Sequence, residues 1–340
     1  MTATWTADVL GSDYQALSLD LGVDDEGPVV ATLVRYRPSA APAAPAADAR
    51  PTTSGPGDLG AERAVLYVHG WSDYFFQTEL AEFFHGQGAR FYALDLRKYG
   101  RSLRPYQTPG YIERLGEYDA DLAAAMAVIR DDLGDDVRVV YMGHSTGGLI
   151  GALWAEHNPG EVCALVLNSP WLELQGSAVL RNVSTPAVSQ LARFQPKTPL
   201  PNIDPGYYAR TIGVTGGGEW TVDPQWRPTP AFPVRAGWLR AIIAGHAEVA
   251  RGLSIDVPIL TLAATHSLFS ARWSEAMRSA DTVLDVEVIV RRAVQLGPVV
   301  TVVRIADGVH DLTLSPEPVR THLYAELARW LLGYGWVERA

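Results

Sequence analysis

The sequence is poor in cysteine, lysine, positive charge and long apolar runs, and each shortage removes a class of protein. A single cysteine, Cys163, in 340 residues leaves no intramolecular disulfide and no cysteine-built zinc site. It falls in the apolar run Val162–Leu167 and is expected to be a small buried core residue. The 28 basic residues include only two lysines, Lys98 and Lys197, and face 38 acidic ones, for a formal net charge of −10. Displacing counterions from nucleic acid requires a net basic face, and no useful Lys/Arg cluster appears, so nucleic acid is excluded as a partner. No apolar run approaches the roughly 20 residues of a membrane-spanning helix. The N-terminal residues 1–15 lack a basic segment followed by an apolar one, as a secretory signal requires. A soluble, cytoplasmic protein without an integral membrane segment is expected.

Apolar content, in contrast, is ample. At 47% hydrophobic and 19% charged residues, the chain can bury a sizeable core. Its length suits two domains, or one large α/β domain with an insertion. Composition breaks sharply at Pro38–Gly60, where seven Ala and five Pro occur with no aromatic residue. Such a segment buries too little surface to order itself and is expected to be a flexible surface loop. Before it, Gln15–Asp20 and Val29–Tyr36 read as a hairpin.

After it, strands and helices alternate, the pattern of a mostly parallel sheet with helices on both faces. Strands are expected at Ala64–His69, Arg90–Asp95, Val137–Met142, Val162–Leu167, Pro258–Ala264 and Val299–Ile305. Helices are expected at Thr78–Gly86, Ile112–Leu133, Thr146–His157 and Glu317–Leu332. The alternation fails over residues 171–256, rich in Pro, Gly and aromatics. The expected layout is therefore a core of residues 1–170 and 257–340, with 171–256 inserted as a cap.

The sharpest motif is Gly143-His144-Ser145-Thr146-Gly147, of the form G-x-S-x-G, between an expected strand and an expected helix. On that turn a serine projects its hydroxyl away from the sheet. The flanking glycines are needed because side chains there would strike the neighbouring strand and helix. The helix start behind Ser145 aims backbone N–H groups at developing negative charge. A plain tight turn is the lesser reading.

In this context the chain resembles the α/β-hydrolases, and within them the monoacylglycerol lipase, lysophospholipase and serine aminopeptidase-like group. The likeness spans about residues 61–335. It also rests on His69-Gly70-Trp71, on the run from Asp95 to Ser102, on Gly308-Val309-His310-Asp311, and on the insertion after Ser169-Pro170. The resemblance implies an α/β-hydrolase fold and a Ser-His-Asp triad.

The base must be a histidine, able to take and return a proton near neutral pH. His310 is the first choice, because it comes last in the order Ser…acid…His. His266 is the rival, with pocket lining or a solvent-exposed loop position as its plainer role. His85, His157, His246 and His322 read as surface residues, and His69 and His144 as structural hydrogen-bonders. The group's usual acid position, just after strand Pro258–Ala264, holds Thr265-His266-Ser267 instead. A matching pattern appears later, at Asp281–Asp285, which implies an extended loop or extra helix over Phe269–Arg278. Asp281 is the first choice for the acid. Asp285, a cap for the following turn on its plainer reading, comes second, ahead of Glu275 and Asp307.

The resemblance further implies an oxyanion hole from the backbone N–H groups of Trp71 and Thr146, and a bracing role for Asp95 and Arg101. Substrate-pocket candidates are Trp71, His144, Trp171, His266 and Trp238. No metal or organic cofactor is implied. The expected function is cleavage of small-molecule carboxylic esters with an apolar acyl group, through an acyl-enzyme. An amide or peptide hydrolase and a non-catalytic binding protein of the same fold are the alternatives.

Overall fold

The computed structural model describes residues 4–38, 62–174, 186–201 and 204–337. The Ala/Pro-rich segment expected to form a flexible loop lies almost wholly outside them. Nine strands form one sheet in the order β1-β2-β3-β5-β4-β6-β7-β8-β9. They are β1 (Thr6–Asp8), β2 (Gly11–Asp24), β3 (Gly27–Tyr36), β4 (Arg63–Val68), β5 (Arg90–Asp95), β6 (Arg138–His144), β7 (Ala164–Asn168), β8 (Ile259–Ala264) and β9 (Val300–Ile305). The hairpin β2–β3 is antiparallel and joins the sheet through antiparallel pairing of β3 with β5. From β5 to β9 every pairing is parallel.

The helices are α1 (Thr78–Gly86), α2 (Tyr118–Leu133), α3 (Thr146–His157), α4 (Pro186–Phe194), α5 (Tyr207–Ile212), α6 (Ala236–Ala250), α7 (Val286–Ala293) and α8 (Glu317–Trp330). Strand β4 shows why this sequence folds as a two-faced sheet. Side chains alternate across a strand. Ala64, Leu66 and Val68 pack under α2, α3 and α6, while Val65 and Tyr67 pack under α1 and α8. Both faces are covered, so the strand reads as an unbroken apolar run. Between β7 and β8 the described chain carries α4, α5 and α6 and only isolated bridges outside the sheet. Among the described residues no helix is long and apolar enough to cross a membrane.

Several expectations need correction. The helix expected from Ile112 begins at Tyr118, behind a short 3-10 turn at Leu115–Glu117. The Glu117 carboxylate accepts the N–H groups of Glu113 and Arg114, which ends the helix there. The closing helix stops at Trp330 and widens into a π turn over Leu331–Gly335. Of the two forms expected for Phe269–Arg278 the extended loop is the one found, with no α-helix and only the start of a 3-10 turn at Glu275–Ser279. Cys163 is half-buried, its thiol donating to the Gly335 carbonyl, not sealed in the core. His246 is buried and not on the surface: α6 turns it inward with Leu239, Ile242 and Val249, and its Nε2 faces the Trp171 carbonyl at 2.8 Å.

Candidate active site

The parallel strands all end on one edge of the sheet, where the loops that follow carry Ser145, His310, Asp281, Trp71 and Trp171, while His144 closes β6, Thr146 opens α3 and Trp238 lies in α6. Ser145 stands between β6 and α3 with φ 52° and ψ −113°, a backbone that L-residues rarely adopt. The neighbouring glycines make it possible. A Cβ on Gly143 would fall against the Gly147 carbonyl, and one on Gly147 would lie 2.5 Å from the carbonyl oxygens of Val68 and His69. The elbow is held from below as well, because the Ser145 N–H donates to the Asn168 carbonyl at 3.0 Å.

His310, in the loop after β9, places Nε2 3.1 Å from Ser145 Oγ. Its Nδ1 lies 2.9 Å from Asp281 Oδ2. The other oxygen of Asp281 accepts the N–H groups of Val283 and Leu284, both at 2.8 Å. All three residues are buried. The late position of the acid has a simple physical form. The chain leaves β8, makes an excursion and returns, so that Asp281 bridges Ser267 in parallel, with its N–H donating to the His266 carbonyl. Asp285 stands at the N-cap of α7, its carboxylate accepting the Glu287 N–H at 3.0 Å. Glu275 pairs with Arg278 on the surface.

Gly70, the residue before Trp71, packs against the elbow: a Cβ on it would lie 3.1 Å from Ser145 Cβ. Thr146 opens α3, so its N–H has no intrahelical acceptor. His69 fixes the loop around Trp71. Its Nδ1 lies 2.7 Å from the Gly70 carbonyl and its Nε2 accepts the Leu96 N–H, an arrangement that needs the neutral ring, and burial lowers its pKa. Asp95 accepts the N–H groups of Phe75 and Arg101 and the Arg101 guanidinium at 2.8 Å. Arg101 also pairs with Asp8 of β1, so the N-terminal strand helps brace this floor.

Of the pocket candidates, three tryptophans come together. The Trp71 and Trp238 ring centres are 4.0 Å apart, and those of Trp171 and Trp238 are 6.0 Å apart. The Trp171 N–H donates to the Ser145 carbonyl at 3.0 Å. His144 is buried, its ring edge-on to His310 at 4.8 Å and its Nδ1 3.1 Å from the Asn168 carbonyl. Burial pushes its pKa down to about 4, so it is neutral at pH 7. His266 keeps an exposed side chain beside Thr265, and only its backbone carbonyl reaches Asp281. A cavity of about 420 Å³ between α2, α3 and α6, lined by Leu115, Leu153, Trp154 and Ala241, shares no residue with this cluster.

Sequence reasoning missed a second layer of polar residues. Tyr208, from α5, sets its ring edge-on to His310 at 5.4 Å and accepts the Asp311 N–H. Arg227 forms a 3.0 Å ion pair with buried Asp73, next but one to Trp71. Burial pushes the Asp73 carboxyl up to about 7 against the pull of Arg227. No local pattern marks these partners. Only the excess of aromatics in the insertion hinted at Tyr208.

Residues 60–277 match the serine aminopeptidase S33 family of hydrolases, well over half of the chain. The chain belongs to this family. It is a serine hydrolase of the α/β-hydrolase fold. This S33 chain is similar to the monoacylglycerol lipase of Mycolicibacterium smegmatis, at 26% identity over 60% of this chain and 70% of that protein. Among solved structures it resembles a monoacylglycerol lipase from Paleococcus ferrophilus (TM-score 0.56, 21% identity, 81% and 96% of the two chains). It also resembles a soluble variant of the Saccharomyces cerevisiae monoglyceride lipase in complex with a substrate analogue (TM-score 0.58, 14% identity, 92% and 94%). At these identities the solved structures speak to the fold alone.

Proposed function

We propose that this hydrolase cleaves carboxylic esters with an apolar acyl group, using Ser145 as nucleophile, His310 as general base and acid, and Asp281 as the residue that orients His310. The observation that carries this reading is the unbroken line Asp281–His310–Ser145, with contacts of 2.9 Å and 3.1 Å. Asp281 accepts the proton on Nδ1, which leaves Nε2 free to take the Ser145 hydroxyl proton as Oγ attacks the ester carbonyl. The N–H groups of Trp71 and Thr146 hold the oxyanion, a contribution worth about 10²–10³ in rate per donor. His310 then protonates the leaving alcohol, and the same ring activates water to release the acid. Residues 171–256 act as a cap. The Trp71, Trp171 and Trp238 cluster forms the apolar wall against which the acyl group rests.

The description of the family as serine aminopeptidases favours a second reading, an amide or peptide bond as target. Capturing a free amine needs unengaged carboxylates, and five of the six in residues 171–256 have other work, the sixth being the exposed Asp256 just ahead of β8. Glu173 binds Arg291 and Arg292, Glu219 binds Arg320, Glu248 binds His157, and Asp204 and Asp223 accept backbone N–H groups. The ester reading therefore ranks first. A panel of p-nitrophenyl esters set against aminoacyl and prolyl p-nitroanilides tests it. Ester turnover is expected to dominate, and faster anilide turnover would reverse the order.

A further inference from the structure

Asn168 closes β7 and is fully buried. It faces two ways. Its backbone carbonyl accepts the Ser145 N–H at 3.0 Å and lies 3.1 Å from His144 Nδ1, so it holds the strained elbow in place. Its side chain reaches the other part of the site. Nδ2 donates to Asp311 Oδ1 at 2.6 Å, and Oδ1 accepts the Leu312 N–H at 3.2 Å.

Asp311 directly follows His310 and is also fully buried. A buried carboxylate is tolerated only when its oxygens are satisfied. Here the Thr313 N–H and hydroxyl donate at 3.0 and 2.6 Å, and Gln77 Nε2 donates at 3.1 Å, beside the Asn168 contact. Although burial opposes ionisation, the hydrogen bonds from Thr313 and Asn168 hold this carboxyl below the usual range. Neither Asn168 nor Asp311 belongs to the Asp281–His310–Ser145 line.

Sheet order shows what the contact spans. The elbow follows β6 and the His310 loop follows β9, with β7 and β8 between them. The Asn168–Asp311 bond crosses from the end of β7, over β8, to the His310 loop. We propose that Asn168 and Asp311 are a positioning pair that sets the distance between Ser145 Oγ and His310 Nε2. Asp311 anchors the loop that carries the base, and the Asn168 amide ties that anchor to the strand end that holds the nucleophile. The amide fits in one orientation only, with its NH₂ toward the carboxylate and its oxygen toward the Leu312 N–H. The proposal rests on the reading of Ser145 as nucleophile and His310 as base.

Its test compares Asn168→Ala, Asn168→Asp and Asp311→Asn with the unmodified enzyme. The measurements are kcat and KM on a p-nitrophenyl ester, the rate of fluorophosphonate labelling of Ser145, and thermal unfolding. A misplacement of about 1 Å can cost about 10²-fold in rate. Folded Asn168→Ala and Asp311→Asn are therefore expected to lose about 10- to 100-fold in kcat and labelling rate together, with KM within about twofold. Asn168→Asp, which sets two carboxylates face to face, should lose more at pH 8 than at pH 6. A purely structural pair would lower the unfolding temperature and leave kcat per folded molecule unchanged, which would overturn the proposal. If these variants do not fold, Thr313→Val removes one donor to the same carboxylate and decides it, with a fall in kcat expected and an unchanged kcat contradicting the pair. An unmodified enzyme inert to the fluorophosphonate would overturn the reading of Ser145 itself, and the pair with it.

Discussion

Asp281 meets His310 with one carboxylate oxygen and two backbone N–H groups with the other. The carboxylate is thus fixed in plane by its own chain before it touches the imidazole. Asp281→Asn keeps the volume but presents the wrong hydrogen-bonding pattern to Nδ1. It is expected to lower kcat by about 10³- to 10⁴-fold, on the scale seen when a triad acid becomes an amide. Asp285→Asn alters a helix cap and should leave kcat within about twofold. Steady-state kinetics on a p-nitrophenyl ester separate the two, and the opposite ranking would move the acid to Asp285.

The elbow admits no side chain at its glycines. Gly147→Ala would drive a methyl group into the backbone of β4 and its loop. Ester turnover should be abolished, with solubility or thermal stability lost as well. A Gly147→Ala variant of normal activity would show that the backbone at Ser145 is not held as described.

His246 gives a pH-dependent stability with a definite sign. Burial pushes its pKa down to about 4, below the ordinary 6.5 of the unfolded chain. Between those values the unfolded chain takes up a proton that the folded protein refuses. Stability therefore falls as pH drops from about 6.5 to 4, by up to roughly 1.4 kcal/mol per pH unit for this one group. His246→Gln, whose amide can still donate to the Trp171 carbonyl, should flatten that slope in urea melts at pH 7, 6 and 5. His144, with the same direction of shift, continues to contribute in the variant, so a partial flattening is expected, and an unaltered slope contradicts the assignment.

Arg227 and Asp73 join residues 171–256 to the loop after β4 by a buried ion pair. Removing Arg227 takes the cation from a carboxyl that burial already pushes up to about 7, so above that pH folding must bury a bare charge or take up a proton, at a cost of up to about 3–5 kcal/mol. Arg227→Met should destabilise on that scale, whereas Arg227→Met with Asp73→Asn should recover a large part of the loss. Denaturant titrations of both variants measure the difference, and simple additivity would deny the coupling.

Trp238 is almost completely buried, and its ring sits 4.0 Å from that of Trp71. If this cluster walls the acyl site, Trp238→Ala opens space beside it. The ratio of kcat/KM for an octanoyl over a butyryl ester is expected to rise several-fold. An unchanged chain-length profile would reduce the three rings to core packing.

The sheet and the three aligned residues were legible in the sequence because their constraints are local. Ser145 needs small neighbours, which writes itself as a glycine motif. His310 follows from chain order, and Asp281 from a short pattern that survives its displacement along the chain. The inward turn of His246 was missed, although the stripe it shares with Leu239, Ile242 and Val249 was there to be read at helical spacing. The late start of α2 was not legible, because a single side chain, Glu117, caps the backbone ahead of it. Asn168–Asp311 lie 143 residues apart, and Arg227 finds Asp73 across a similar distance. Periodicity tells which face of an element is apolar, but not which polar side chain meets which distant partner.

The most direct test of Ser145 as nucleophile is fluorophosphonate labelling followed by peptide mapping, with ester turnover measured in parallel. A single adduct on Ser145 is expected, lost in Ser145→Ala and strongly slowed in His310→Ala, with turnover falling alongside. An adduct on another residue, or a Ser145→Ala variant that still hydrolyses the esters at the unmodified rate, would contradict it.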